Sequence, residues 1–352
     1  MAPFVTVIHP GALGDLLLAV PALQSLRKIY AEQRIVCIAQ EAGGHFLRSC
    51  HLVDECIGIE ESCVAEVFAG RTTAEARFWT LLKQSDAVIG WMKDADHSIE
   101  QGVKNLGVSR VTIRSPFDPQ LTARHQSDRF LETIGEELVD STDDVRITLP
   151  NQVKQRGQAY LNCYGIQSER PAVMLHVGSG SQAKCTTAEF LAAVMVQLDR
   201  EGYECIILEG PADHKSVEAV CALVGSSVKI VKEVDLSTVA GILSQVHLYI
   251  GHDSGISHLA GLIGTPTVVL FGPTDPERWA PRGRHVRIMS GEPCHCSTWK
   301  DAQRCPDRPC LSIKLSEIRD VLVNIKENSC SSPENTSPET LSPPDPYDKV
   351  AR

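Results

Sequence analysis

Apolar residues along this chain come in short runs that alternate with longer amphipathic stretches. Nearly every run ends in glycine and small polar residues. Residues 4–9, FVTVIH, are β-rich and lead straight into Pro10-Gly11-Ala12-Leu13-Gly14-Asp15. Residues 16–30 then carry Leu16, Val20, Leu23, Leu26 and Ile29 at helical spacing, with Arg27 and Lys28 in the last turn. Strand-like runs recur at 34–39, 53–59 and 87–90. The pattern restarts at 172–177, followed by Gly178-Ser179-Gly180-Ser181-Gln182-Ala183-Lys184 and a helical stretch over 187–201. Strands at 205–208 and 229–231 alternate with helices at 216–224 and 236–245, and Glu209 and Asp213 follow the first of these strands.

The run 248–250 then ends at Gly251, turns through His252-Asp253-Ser254-Gly255 into a helix over 256–263, and stops at Gly264-Thr265-Pro266. A further run, 267–271, ends in Gly272-Pro273-Thr274. This βαβ unit puts both polar turns at the carboxyl edge of a parallel sheet, where ligands bind. The turn at 253–255 has two readings. It is a helix N-terminus whose free N–H groups favour phosphate, or an ordinary N-cap made by Asp253 or Ser254. Two successive halves of this kind predict an α/β protein of two doubly wound, Rossmann-like domains facing each other across a cleft. We place the first domain at 1–160 and the second at 161–314, with a last helix at 315–327 and a disordered, proline- and serine-rich tail from 328 to 352.

Composition narrows the function classes. The chain has 352 residues, 43% hydrophobic and 22% charged, as expected of a soluble globular protein. A formal net charge of −10 argues against non-specific nucleic-acid binding. No apolar run reaches the roughly 20 residues a membrane helix needs, and residues 4–9 read as a strand rather than a secretion signal, which points to the cytoplasm. Gly11 to Gly14 is not the GxGxxG dinucleotide fingerprint, so a nicotinamide cofactor is not expected. Most of the thirteen cysteines, such as Cys37, Cys56, Cys205 and Cys221, lie in apolar segments and read as buried thiols.

The motifs resemble glycosyltransferase family 9, the lipopolysaccharide heptosyltransferases. The residues that carry the resemblance are His9-Pro10-Gly11-Ala12-Leu13-Gly14-Asp15-Leu16, His176-Val177-Gly178-Ser179-Gly180 with Lys184, Asp253 to Ala260, Gly264-Thr265-Pro266 and Phe271-Gly272-Pro273-Thr274. It spans about 5–322. It implies a GT-B fold and an inverting, metal-independent transfer of a sugar. The donor, ADP-heptose or another nucleotide sugar, would lie mostly on the C-terminal domain. The acceptor, a lipopolysaccharide core or other glycan, would lie on the N-terminal one, with peripheral contact to the inner face of the bacterial inner membrane and no further cofactor.

By the same resemblance, Asp15 is the base for the acceptor hydroxyl and Lys184 the cation for the diphosphate. The donor set is Ser179, Gly180, Glu209, Asp213, Asp253, Ser254, Gly255, Ile256, His258 and Thr274. Asp253 would hold sugar hydroxyls and Glu209 or Asp213 the ribose. Gly14, Arg124 and His125 are the acceptor candidates. Arg124, His125 and Arg129 also read simply as a solvated basic face. The pattern departs after Lys184, where Cys185-Thr186-Thr187 replaces the family's Trp-Pro, and Phe190 comes one residue early. That departure prompts a reading as a non-catalytic nucleotide-sugar binder, and a GT-B epimerase that binds the same kind of donor stands beside transfer as a second alternative. Cys294, Cys296, Cys305 and Cys310, with His295, lack the paired CxxC of a zinc ribbon; free thiols in a surface loop are expected, with a structural metal as the alternative.

Overall fold

A computed structural model describes residues 4–60, 77–117, 124–135, 145–166, 170–225 and 228–321. Its first sheet has five strands in the order β3-β2-β1-β4-β5. These are β1 (Phe4–His9), β2 (Arg34–Ala39), β3 (Glu55–Gly58), β4 (Ala87–Gly90) and β5 (Arg110–Ile113). The second has six, in the order β11-β10-β9-β6-β7-β8. They are β6 (Ala172–His176), β7 (Glu204–Leu208), β8 (Lys229–Val231), β9 (Leu248–His252), β10 (Thr267–Leu270) and β11 (Val286–Met289). Every pairing is parallel. Strand order reverses beside β1 in one sheet and beside β6 in the other. Each reversal opens a crevice at the carboxyl edge, and those crevices hold the motif residues.

Alternation along the strands explains the layers. Val5, Val7, Ile35, Cys37 and Ile89 point into one apolar core, while Ile8, Ile38 and Val88 point into another on the opposite face. The first of these cores does not stop at the sheet. It continues through Ile147, Leu149 and Val153 to Met174, Ile206 and Tyr249 of the second half. The two α/β halves therefore share one interior. The helix Asn151–Cys163 packs on Leu236–Leu243, where a Cβ on Gly157 would fall 2.0 Å from the carbonyl carbon of Gly241.

The single helix expected over 16–30 is two, Leu13–Leu18 and Val20–Ile29, broken at Ala19. Pro21 is the cause: it has no N–H to continue the first ladder, and sits comfortably in the first turn of a new helix. The last helix is described from residue 315 to 321. Its remainder and the tail expected from 328 lie outside the described residues.

Candidate active site

Three central strands, β1, β6 and β9, each end in a buried histidine, and each imidazole fixes a polar turn. His9 Nδ1 accepts from the Gly11 amide at 3.2 Å. His176 Nε2 meets Asp213 Oδ2 at 2.9 Å, and its Nδ1 meets Ser254 Oγ at 3.2 Å. His252 Nε2 accepts from the Thr186 amide at 3.0 Å while its Nδ1 faces the Gly178 carbonyl at 3.4 Å. Burial pushes the pKa values of His9 and His252 down to about 4, so both are neutral near pH 7. These rings are struts. Glycine is needed in the turns they hold, because a Cβ on Gly178 would overlap Asp213 Oδ1 at 1.7 Å and one on Gly11 would strike the His9 ring at 2.7 Å.

The turns converge on a cavity of about 400 Å³ lined from both halves of the chain. Ala12, Gly14, Asp15 and Leu18 come from the turn and helix after β1; Ser179, Gly180 and Lys184 follow β6; Asp253, Ser254, Gly255 and His258 follow β9; Thr274 follows β10, and Trp279 and Trp299 close the rim. Lys184 Nζ lies 2.7 Å from Asp253 Oδ2, which also accepts from Thr274 Oγ1 at 2.6 Å. Ser179 Oγ donates to the Asp253 carbonyl at 2.6 Å. The helix Leu13–Leu18 comes close enough to feel these charges because glycine faces it. A Cβ on Gly255 would sit 2.9 Å from Leu13 Cγ, and one on Gly14 would sit 3.3 Å from His258 Cδ2.

Asp15 has a raised pKa. Burial is the main cause and the negative Asp253 adds to it, against a hydrogen bond from the Ala12 amide and the attraction of Lys184. The carboxylate is thus a stronger proton acceptor than an exposed one. His258, fully buried, is pushed down to about 4 by that burial and is neutral at pH 7; it packs against Gly14 and contributes no cation.

The helix Gly255–Ile263 begins between two cavities. Ser254 stands at its N-cap without capping it, since the hydroxyl is turned to His176. Ser254 and Gly255 line the 400 Å³ space, whereas Ile256 lines a neighbouring one of about 710 Å³ with Leu208, Glu209, Gly210, Pro211, Lys232 and Val234. A third cavity, of about 880 Å³, opens at the carboxyl edge of the first sheet and is lined by Trp91, Lys93, Asp94, Arg114, Phe117 and Arg129 among others.

The structure brings together Gly14, Asp15, Ser179, Gly180, Lys184, Asp253, Ser254, Gly255, His258 and Thr274 in one cavity, with Glu209 and Ile256 in the next. It places three other expected residues differently. Asp213 is buried and already engaged: it binds His176 and the Gly210 amide, and those contacts hold its pKa low against the effect of burial. His125 caps the helix Gln126–Thr133; its Nε2 meets the Ala280 carbonyl at 2.8 Å and its Nδ1 accepts from Arg282 at 3.0 Å, which ties the two halves together. Arg124 is exposed and paired with Glu132. The basic face formed by 124, 125 and 129 is thereby divided, and only Arg129 reaches a cavity. Residues that the sequence reading missed are Trp279, stacked on Phe117, and Trp299, whose ring lies 5.8 Å from Lys184 Nζ. Neither stands in a motif, so no local signal marked them.

The sequence profile of glycosyltransferase family 9 (heptosyltransferase) matches residues 105–306, more than half of the chain. Lipopolysaccharide heptosyltransferase 2 of Salmonella typhimurium is 25% identical over 153 residues, covering 40% of this chain and 44% of that protein, so the match spans less than half of that relative's length. Lipopolysaccharide heptosyltransferase 3 of Escherichia coli is 24% identical over 311 residues, covering 79% of this chain and 86% of that protein. Among solved structures, the family 9 glycosyltransferase of Veillonella parvula superposes with a TM-score of 0.74 at 20% identity, over 93% of this chain and 98% of that one. The E. coli ADP-heptose lipopolysaccharide heptosyltransferase II gives 0.70 at 17% identity, over 93% and 100%. This chain belongs to glycosyltransferase family 9, and its two parallel-sheet domains have the GT-B fold.

Proposed function

We propose that this member of glycosyltransferase family 9 transfers a sugar, with inversion and without a metal at the reacting centre, from a nucleoside-diphosphate donor to a glycan acceptor. ADP-heptose is the donor and a lipopolysaccharide core sugar the acceptor that its relatives point to. One observation carries the reading. An aspartate with a raised pKa, supplied by one sheet, shares a cavity with a lysine and an uncapped helix N-terminus supplied by the other.

The donor is read across two adjoining spaces. Its nucleoside suits the 710 Å³ cavity, with aliphatic walls at Leu208, Val234 and Ile256 and a carboxylate at Glu209 to accept from ribose hydroxyls. The diphosphate then lies at the start of the helix Gly255–Ile263, the boundary between the cavities, where N–H groups and the helix dipole favour anions. Lys184 neutralises the charge that grows there as the bond to the anomeric carbon breaks. Asp253 and Thr274 keep the ammonium in place. Asp15 takes the proton of the acceptor hydroxyl as that oxygen attacks the opposite face of the anomeric carbon. The acceptor suits the 880 Å³ cavity, where the half-buried Phe117 offers an apolar face to a sugar and the exposed Lys93 and Arg114 match an anionic glycan.

Incubation with ADP-heptose and a truncated lipopolysaccharide acceptor tests this. The expected products are ADP and a glycosylated acceptor whose new linkage has the opposite anomeric configuration to the donor, read by NMR. Release of free sugar or its epimer with no glycosylated product would refute it.

A further inference from the structure

The segment between β11 and residue 312 is held by little apolar contact. Ala302, Cys310 and Leu311 are its buried hydrophobic residues. It nevertheless adopts a defined course: Thr298 and Asp301 form a capping box at the start of the helix Trp299–Arg304, and the Gly291 amide bonds to the Cys310 carbonyl at 2.8 Å. The fold gathers sulfur at its centre. The Sγ atoms of Cys294, Cys296 and Cys305 all lie within 4.8 Å of one another. Cys294 is 3.0 Å from Cys296 and 3.7 Å from Cys305. The buried Cys310 stands outside that trio but next to it: burial raises its pKa, and Cys294 and Cys305 are close enough to raise it further. Tetrahedral coordination with metal–sulfur bonds of about 2.3 Å places sulfurs about 3.8 Å apart, close to the Cys294–Cys305 separation.

We propose that Cys294, Cys296, Cys305 and Cys310 bind one thiophilic transition-metal ion, zinc or ferrous iron, as a tetrathiolate that staples this segment against the Lys184 turn. All-sulfur ligation selects such ions over magnesium or calcium. No redox change is involved: four thiols bind the divalent cation through sulfur and release four protons to solvent. The ligands bracket two contacts to the turn Gln182–Lys184. Trp299, between Cys296 and Cys305, lies 5.8 Å from Lys184 Nζ, and Arg308, between Cys305 and Cys310, donates to the Gln182 carbonyl at 2.9 Å. The ion is remote in role from the transfer chemistry, because its ligands leave no position open for substrate. Its link to donor binding rests on the reading of Lys184 given above; the metal site itself does not.

The test uses the full chain purified under reducing, anaerobic conditions. Elemental analysis after loading with zinc or ferrous iron is expected to find about one metal per chain, and cobalt(II) added to the reduced apoprotein should give the sulfur-to-metal absorption and tetrahedral bands of a thiolate site. Cys294→Ser and Cys305→Ser should each lose that metal, with Cys221→Ser as the control that keeps it. Chelation should open residues 290–311 to protease cutting while the sheets stay protected. If the serine variants do not fold, the cobalt titration of the native chain decides alone. A reduced native chain whose four thiols alkylate freely and take up no cobalt, zinc or iron would overturn the site, as would full metal retention in both serine variants. Metal without transfer would refute the proposed function and leave this site standing; transfer by a chain that binds no metal would do the reverse.

Discussion

Asp15→Asn keeps the outline of the side chain and removes its ability to accept a proton. A positioned general base contributes about 10²–10⁴ in rate, so turnover should fall by that factor, or about 3–5 kcal/mol in the barrier. The donor contacts proposed above all lie on turns of the second sheet, so donor affinity should change little. Stability should move the other way. Burial raises the folded-state pKa of Asp15, so the folded chain favours the neutral acid; its stabilising contribution is complete below the unfolded pKa and is lost as pH rises through the folded value. Near neutral pH the ionised carboxylate therefore weakens the fold, and the neutral amide should raise the melting temperature. For the native enzyme, kcat/KM should fall on the acid side with an apparent pKa raised from that of an ordinary aspartate, and that limb should vanish in the variant. Coupled detection of released ADP gives turnover, calorimetry the donor affinity, and a thermal melt the stability. Turnover within tenfold of native, or an unchanged acid limb, would remove Asp15 from the base role.

Lys184→Met should lower kcat by about 10²–10³ by removing the cation at the leaving diphosphate, and should raise the acid limb by withdrawing the charge that pulls the Asp15 pKa down; steady-state kinetics against pH checks both. Gly255→Ala, whose Cβ would lie 2.9 Å from Leu13 Cγ, should cost about 1–3 kcal/mol in urea unfolding, and Gly14→Ala, at 3.3 Å from His258, should cost less. His9, His252 and His258 are held near pKa 4 by burial, against 6.5 when unfolded. Their contribution is complete above about pH 6.5 and is lost as pH falls towards 4, with a slope of up to about 4 kcal/mol per pH unit when all three protons are taken up by the unfolded chain. Equal urea midpoints at pH 7 and pH 5 would contradict it.

The sheets and most of the residues that meet in the shared cavity were legible in the sequence because each is a local pattern. Apolar runs that end in glycine turns mark strands whose carboxyl edges carry ligand groups, and Asp15, Lys184 and Asp253 stand at three such ends. What local pattern does not encode is the partner across the fold. Asp213 sits where a ribose ligand would be expected, yet His176 on the neighbouring strand claims its carboxylate. His125 falls in a basic cluster, yet Ala280 and Arg282 absorb both ring nitrogens. The edge strands β5 (RVTI) and β11 (VRIM) went unread. The break at Ala19 was encoded, by Pro21, but an unbroken helical period hid it.

The shared interior of the two halves limits how such an enzyme can be rebuilt. In a protein of independent modules, the half that holds the donor could be exchanged for another to change the sugar transferred. Here the apolar face formed by Met174, Ile206 and Tyr249 belongs to the same core as Val5, Val7 and Ile35, and the Gly255–Leu13 contact leaves no room for a methyl group at the seam. A chimera would have to carry over the buried surface of the incoming half together with its substrate contacts, and a half expressed alone would present that surface to water and to other copies of itself. Specificity in this chain is more readily redirected by side chains lining the cavities than by trading whole domains.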